Sequence, residues 1–303
     1  MPNRKRLIVL LLAPLIVAMA ACGSSGSTSS RGSSTTGAPA AAGPPTFPAG
    51  STMDTIQKRG KLVVGTKFDQ PLFGLKDPTS GTLDGFDIDI AREMAKAIFG
   101  PVKTIDSKVD FVETVSKNRE PFIQDGKVDI VVATYTINAT RKTVVDFAGP
   151  YFLAHEDIMV RTEDSAIKSV TDLNGKKVCS VQGSTSLTNV TAKAPQADTS
   201  ITFDTYSKCA EALADGRVQA EVTDNAILAG LVSQGEKKFK LVNAPFSDEP
   251  YGIGMKKGDD VFRSFLNDRL VAIEGNGTWK SLFTKTVATG GVATPVPPQP
   301  ERY

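Results

Sequence analysis

Between residues 53 and 287 short β-rich runs alternate with stretches whose apolar residues recur at helical spacing. Strands are predicted over 61–64, 109–112, 128–133, 177–181, 201–206, 220–223 and 251–255. The clearest helix is predicted over 84–98: Ile90, Ala91, Met94, Ala95 and Ile98 share one face, and Asp87 and Asp89 suit its first turn. Further helices are predicted over 119–124, 207–215, 225–233 and 259–274 and around Trp279, with Gly126 and Gly216 as stops. This alternation predicts α/β sheets with parallel strands. Ligands of such sheets lie beyond the carboxyl ends of strands, at helix N-termini.

The residues before this region have a different composition. Arg4, Lys5 and Arg6 precede an apolar run over 7–20, shorter than the roughly 20 apolar residues of a spanning helix, so residues 1–21 are predicted to be a secretion signal. The ending Met19-Ala20-Ala21-Cys22 resembles the lipobox of bacterial lipoproteins, with Met in place of the commoner Leu. That resemblance implies acylation of Cys22 and attachment to the extracytoplasmic face of the cell membrane. Residues 22–52, charged only at Arg31 until residue 50, are predicted to be a flexible tether. Removal of the signal leaves 32 basic against 33 acidic residues, a balance that argues against a nucleic-acid partner. Cys179 and Cys209 remain and are expected to pair, two buried free thiols being the alternative. The tail, 288–303, carries Pro295, Pro297, Pro298 and Pro300 and is expected to be loose.

Three predicted strand ends carry polar clusters. The strand ending at Ala133 runs into Thr134-Tyr135-Thr136-Ile137-Asn138 and then Arg141, which brings hydroxyls, free helix N–H groups and a guanidinium together. An α-carboxylate requires such a planar fork plus donors. Val181 leads into Gln182-Gly183-Ser184-Thr185-Ser186, a small-residue loop suited to the same anion. Thr223 delivers Asp224, which could accept from an ammonium or equally cap the following helix.

Taken together, these segments resemble the family of receptors for polar amino acids that feed ABC importers. The resemblance spans nearly all of 61–285. It is carried by Leu62-Val63-Val64-Gly65-Thr66, Gly85-Phe86-Asp87-Ile88-Asp89, Gly126-Lys127-Val128-Asp129-Ile130, Thr136-Ile137-Asn138-Ala139-Thr140-Arg141-Lys142, Asp146-Phe147-Ala148-Gly149-Pro150-Tyr151, Gly183-Ser184-Thr185 and Tyr251-Gly252-Ile253. It implies the two-lobed type II periplasmic-binding-protein fold, each lobe a mixed sheet flanked by helices. The first lobe would comprise 53–152 plus 249–287 and the second 153–248, with crossing strands near 151–155 and 247–251. Arg141, assisted by Thr136 and Thr185, would hold the ligand α-carboxylate. Asp224 and the Thr134 carbonyl would take the ammonium, and Phe86 would pack against the ligand methylenes.

Selectivity is expected where the chain departs from the family's glutamine receptors, which usually carry an acid where Lys67 stands here. Lys67 with Asn118-Arg119 and Pro121 resembles the glutamate and aspartate receptors, and Lys67-Phe68-Asp69-Gln70-Pro71 looks most like actinobacterial glutamate-binding lipoproteins. A second ligand carboxylate in a closed cleft needs a cation, and Lys67 and Arg119 are the candidates. The expected ligand is L-glutamate or L-aspartate, with glutamine or asparagine as the alternative, and the expected partner is an ABC permease, or a membrane sensor as a rival. A dehydratase-type enzyme on the same fold is a further rival. No catalytic residue, metal or cofactor is expected: His155, the single histidine, lies away from any nucleophile signature, and the two cysteines have no metal-ligand spacing.

Overall fold

The structure, a computed structural model, describes residues 43–303. The signal and lipidation readings, including Cys22, lie outside the described residues. No described helix is long and apolar enough to cross a membrane.

In chain order the elements begin with α1 (Thr52–Arg59), β1 (Leu62–Thr66), β2 (Asp69–Gln70), β3 (Gly74–Lys76), β4 (Leu83–Asp84) and α2 (Phe86–Phe99). They continue with β5 (Val109–Glu113), α3 (Arg119–Gln124), β6 (Ile130–Val131), α4 (Ala139–Lys142) and the long β7 (Val145–Arg161). The next group is β8 (Val178–Val181), α5 (Thr185–Lys193), β9 (Thr202–Phe203), α6 (Tyr206–Ala214), β10 (Ala220–Asp224) and α7 (Asn225–Gln234). The last elements are β11 (Phe239–Leu241), β12 (Ser247–Lys256), α8 (Asp260–Gly275) and α9 (Thr278–Lys285).

One curled sheet runs β5-β1-β6-β12-β7-β10-β8-β9, with β11 on the far end of β7. At one end β1 pairs in parallel with β5 and β6; at the other β8 pairs in parallel with β10 and β9. Between these ends lie the two antiparallel crossing strands, paired from Lys256 opposite Val145 to Ser247 opposite Glu156 with a register shift between Tyr251 and Ile253. The result is two lobes, each with buried apolar clusters on its sheet. The first lobe packs Ile90, Met94, Ile98 and Leu270 in one cluster and Val131, Tyr135 and Phe147 in another. The second packs Met159, Leu213 and Leu228 in one and Ile158, Val190 and Val222 in another. Cys179 and Cys209 are joined as a disulfide between β8 and α6.

Two expectations are corrected at the ends of the domain. The tether does not extend to residue 52: the Phe47 ring meets Phe265 edge-on at 5.4 Å, Gln57 donates to the Pro45 carbonyl, and Ser51 caps α1. The tail is not loose. Its prolines exclude helix but not attachment, and Glu301 N–H donates to Gly149 O at 2.7 Å. Lys142 pairs with Glu301, and the cationic groups of Arg263 and Lys142 stand 4.2 and 4.1 Å from the centroid of the Tyr303 ring.

Candidate ligand-binding site

The carboxyl ends of β1, β6, β8 and β10 converge where the two lobes face each other. Each delivers one part of a polar site, and Asn138 at the start of α4 accepts from Arg141 N–H, fixing the turn that carries the guanidinium.

Three cations are buried on the first-lobe side: Lys67, Arg119 and Arg141, at 1%, 3% and 6% exposure. Arg119 directs its N–H groups to carbonyls only, those of Ser116, Ala133, Thr134 and, in the second lobe, Gly183. Arg141 donates to Glu120, the Thr136 carbonyl and the same Gly183 carbonyl. Both guanidiniums lie over the Tyr135 ring, at 4.4 and 4.8 Å from its centroid. Lys67 donates to Ser116 Oγ at 2.8 Å and has no ion-pair partner among the described residues. Burial first, then the charge of Arg119, lowers its amine to about 7. Burial likewise lowers Arg141 to about 10, so it remains a cation at neutral pH.

A group of buried acids stands opposite. Glu156, Asp224 and Glu249 bring carboxylate oxygens within 4.8 Å of one another. The Asp224 side chain caps no amide of α7; its Oδ2 accepts from Tyr251 Oη at 2.5 Å, and its Oδ1 is buried without a partner among the described residues. Burial, with Glu249 and Glu156 nearby, raises its carboxyl well above the ordinary range. Glu156 is raised to about 7 for the same reasons.

Most of the expected site residues are brought together here, with one correction. Phe86 does not reach the cleft. Fully buried at the first turn of α2, it packs edge-on against Phe73, Trp279 and Phe283 in the first-lobe core. Thr136 and Thr185, from opposite lobes, both donate their hydroxyls to Glu249 Oε2, at 2.7 and 2.8 Å. The Thr134 carbonyl accepts from Arg119 at 3.2 Å, so its lone pairs are shared with a cation already in place. Sequence reasoning passed over Glu249, Glu156 and Gln70. Glu249 is 2% exposed on a strand read only as a crossing, and a charged residue inside such a strand is the signal that could have found it. Gln70 accepts from Thr134 Oγ1 and leaves its Nε2 buried and unpaired among the described residues. His155 lies on β7 and pairs with Asp248 at 2.8 Å.

Two lobes on crossing strands, with a charged cleft at the strand ends, are the architecture of a solute-binding protein. The sequence profile of the bacterial extracellular solute-binding proteins, family 3, matches residues 62–288, and the chain belongs to that family. It is 42% identical over 237 residues to the ABC transporter glutamine-binding protein GlnH of Bacillus subtilis, covering 78% of this chain and 84% of that one. To the glutamate-binding protein GluB of Corynebacterium glutamicum it is 39% identical over 241 residues, covering 78% and 81%. Among solved structures it resembles an ancestral arginine-binding protein bound to glutamine, with a TM-score of 0.68 and 39% identity over 75% of this chain and 98% of that one.

Proposed function

We propose that this chain captures L-glutamate or L-aspartate in its interlobe cleft and delivers it to an ABC importer. Lys67 is the observation that carries the reading: a buried amine beside two buried guanidiniums, in no ion pair among the described residues, with Asp69 and Asp87 acting on it only from beyond contact distance. An uncompensated buried charge costs several kcal/mol, and a ligand carboxylate at this point offsets that penalty. Arg141 takes the α-carboxylate, and the Thr136 and Thr185 hydroxyls rotate to it from Glu249. Asp224 accepts from the α-ammonium, with the Thr134 carbonyl beside it. Lys67 and Arg119 face the side-chain carboxylate. An open form binds ligand on the first lobe, and closure adds the second-lobe contacts, so the ligand favours the closed state by its differential affinity.

The role is that of a receptor and not an enzyme, in keeping with relatives named for binding and transport. Cys22 is proposed as the lipid anchor on the extracytoplasmic face of the membrane, to be tested by loss of radiolabelled palmitate in Cys22→Ser. Glutamine is the second reading, favoured by the name of the Bacillus subtilis relative. It is also compatible with a lysine near 7, whose neutral form meets an amide without a stranded charge.

Calorimetric titration of protein stripped of ligand by unfolding and refolding separates the two. Tight glutamate or aspartate binding that Lys67→Ala weakens sharply supports the acidic reading. Tight glutamine binding that the same change leaves untouched replaces it with the second.

A further inference from the structure

At the rim of the cleft the helix α6 starts without a cap of its own. Thr205 holds the N-cap position in extended backbone, but its hydroxyl accepts only from Ser207 Oγ, at 3.3 Å, and caps no backbone N–H of the helix. The acceptor comes from the other lobe: Asp69 Oδ2, on β2, receives Tyr206 N–H at 3.0 Å and Ser207 N–H at 3.4 Å. One residue before Thr205, Asp204 pairs with first-lobe Lys117 at 2.6 Å. The main chains also meet here. A Cβ on Gly183, whose φ is +75°, would lie 2.6 Å from Lys117 Cα, and one on Gly230 of α7 would lie 2.7 Å from Pro71 O. Every one of these contacts joins residues of opposite lobes, so each exists only while the lobes are together.

We propose that Asp69 is a positioning residue for closure: a helix cap supplied across the cleft that, with the Lys117–Asp204 pair, latches the closed lobes and slows ligand release. This deepens the receptor reading and rests on it for the identity of the ligand. The chemistry suits a latch. A carboxylate at a helix N-terminus satisfies free N–H groups and meets the positive end of the helix dipole. Opening returns both partners to water, so the bond is reversible. Asp69 is followed directly by Gln70, which accepts from Thr134, and the Tyr206 ring lies 6.0 Å from Lys67 Nζ. The latch is thus built on the same short segment as the binding site, and the Asp69 carboxylate also acts on the Lys67 amine, raising its pKa against the larger effect of burial.

The test compares wild type, Asp69→Ala and Asp69→Asn by stopped-flow release of L-glutamate and of L-glutamine. Asp69→Ala is expected to speed release about five- to tenfold, the value of one helix cap, while association changes by less than about twofold. Asp69→Asn keeps an acceptor oxygen and should release within about twofold of wild type. The ligand-free unfolding midpoint should stay where it is, whereas a purely structural role would lower it and leave release unchanged. Release from Asp69→Ala at the wild-type rate overturns the proposal. Should wild type bind neither amino acid, that ligand assignment falls, and the same release comparison with L-arginine decides the latch: faster release from Asp69→Ala supports it and an equal rate overturns it.

Discussion

Arg119 and Arg141 converge on one atom: both donate to the carbonyl oxygen of Gly183, each at 3.2 Å, while sharing the Tyr135 ring beneath them. Two guanidiniums of the first lobe thereby close on a single backbone group of the second. Like charges held this close repel, and burial adds to the penalty. The strand-end cluster is arranged for an anion, and among the described residues Gly183 O is the one group of the second lobe to which both guanidiniums donate.

Removal of Arg141 is therefore expected to be severe. Arg141→Ala should weaken amino-acid binding by more than about thirtyfold, the lower range for truncating one side of a buried charge pair. Arg141→Lys should restore little of it, because an ammonium cannot reproduce the fork. Calorimetry on both variants, with circular dichroism as the control for folding, checks this.

Phe86 should behave as a core residue. Its ring contacts Phe73, Tyr151, Phe152, Trp279 and Phe283. Phe86→Ala is expected to lower stability by about 3–5 kcal/mol. The milder Phe86→Leu should lower the unfolding midpoint while leaving amino-acid affinity within about twofold. Loss of affinity in a fully folded Phe86→Leu protein would return the residue to the ligand.

Glu274, on α8, gives a pH-dependent prediction remote from the cleft. Both its carboxylate oxygens are buried without partners among the described residues, and burial raises its pKa from 4.5 to about 7. With the folded value above the unfolded one, the unfolded chain loses its proton first as pH rises. The resulting loss of stability is absent below about pH 4.5 and complete above about pH 7. Glu274→Gln should raise the unfolding midpoint by a few degrees at pH 8 and leave it unchanged at pH 4. Thermal scans at the two pH values check the sign.

Periodicity made the alternating elements legible, and the strand-end rule pointed to Arg141, Thr185 and Asp224 before any contact was visible. Predicted helices over 84–98, 119–124 and 225–233 correspond to α2, α3 and α7 with small shifts at the ends. The long β7 was not legible beyond its crossing segment, because nearly all of its residues are buried and no alternation marks its faces. Strands β2, β3 and β4, two or three residues each, are too short to carry a period. Phe86 shows a limit of another kind. An aromatic residue at the first turn of a helix can face the cleft or the core, and only the packing of α2 against α8 and α9 decides between them. Glu249 depends on tertiary structure altogether: its partners Thr136 and Thr185 lie 113 and 64 residues away.

The acidic-ligand claim rests on Lys67, and proton linkage tests it most directly. Lys67 stands at about 7 without ligand, and a carboxylate placed beside it raises that value. At pH 8 glutamate binding should therefore draw a proton onto Lys67, whereas glutamine, with the same α-groups, should not. Calorimetry in buffers of different ionisation enthalpy should find up to about one more proton taken up with glutamate than with glutamine, a difference abolished by Lys67→Met. Equal proton counts for the two amino acids in wild type, with affinities indifferent to Lys67→Met, would contradict the account.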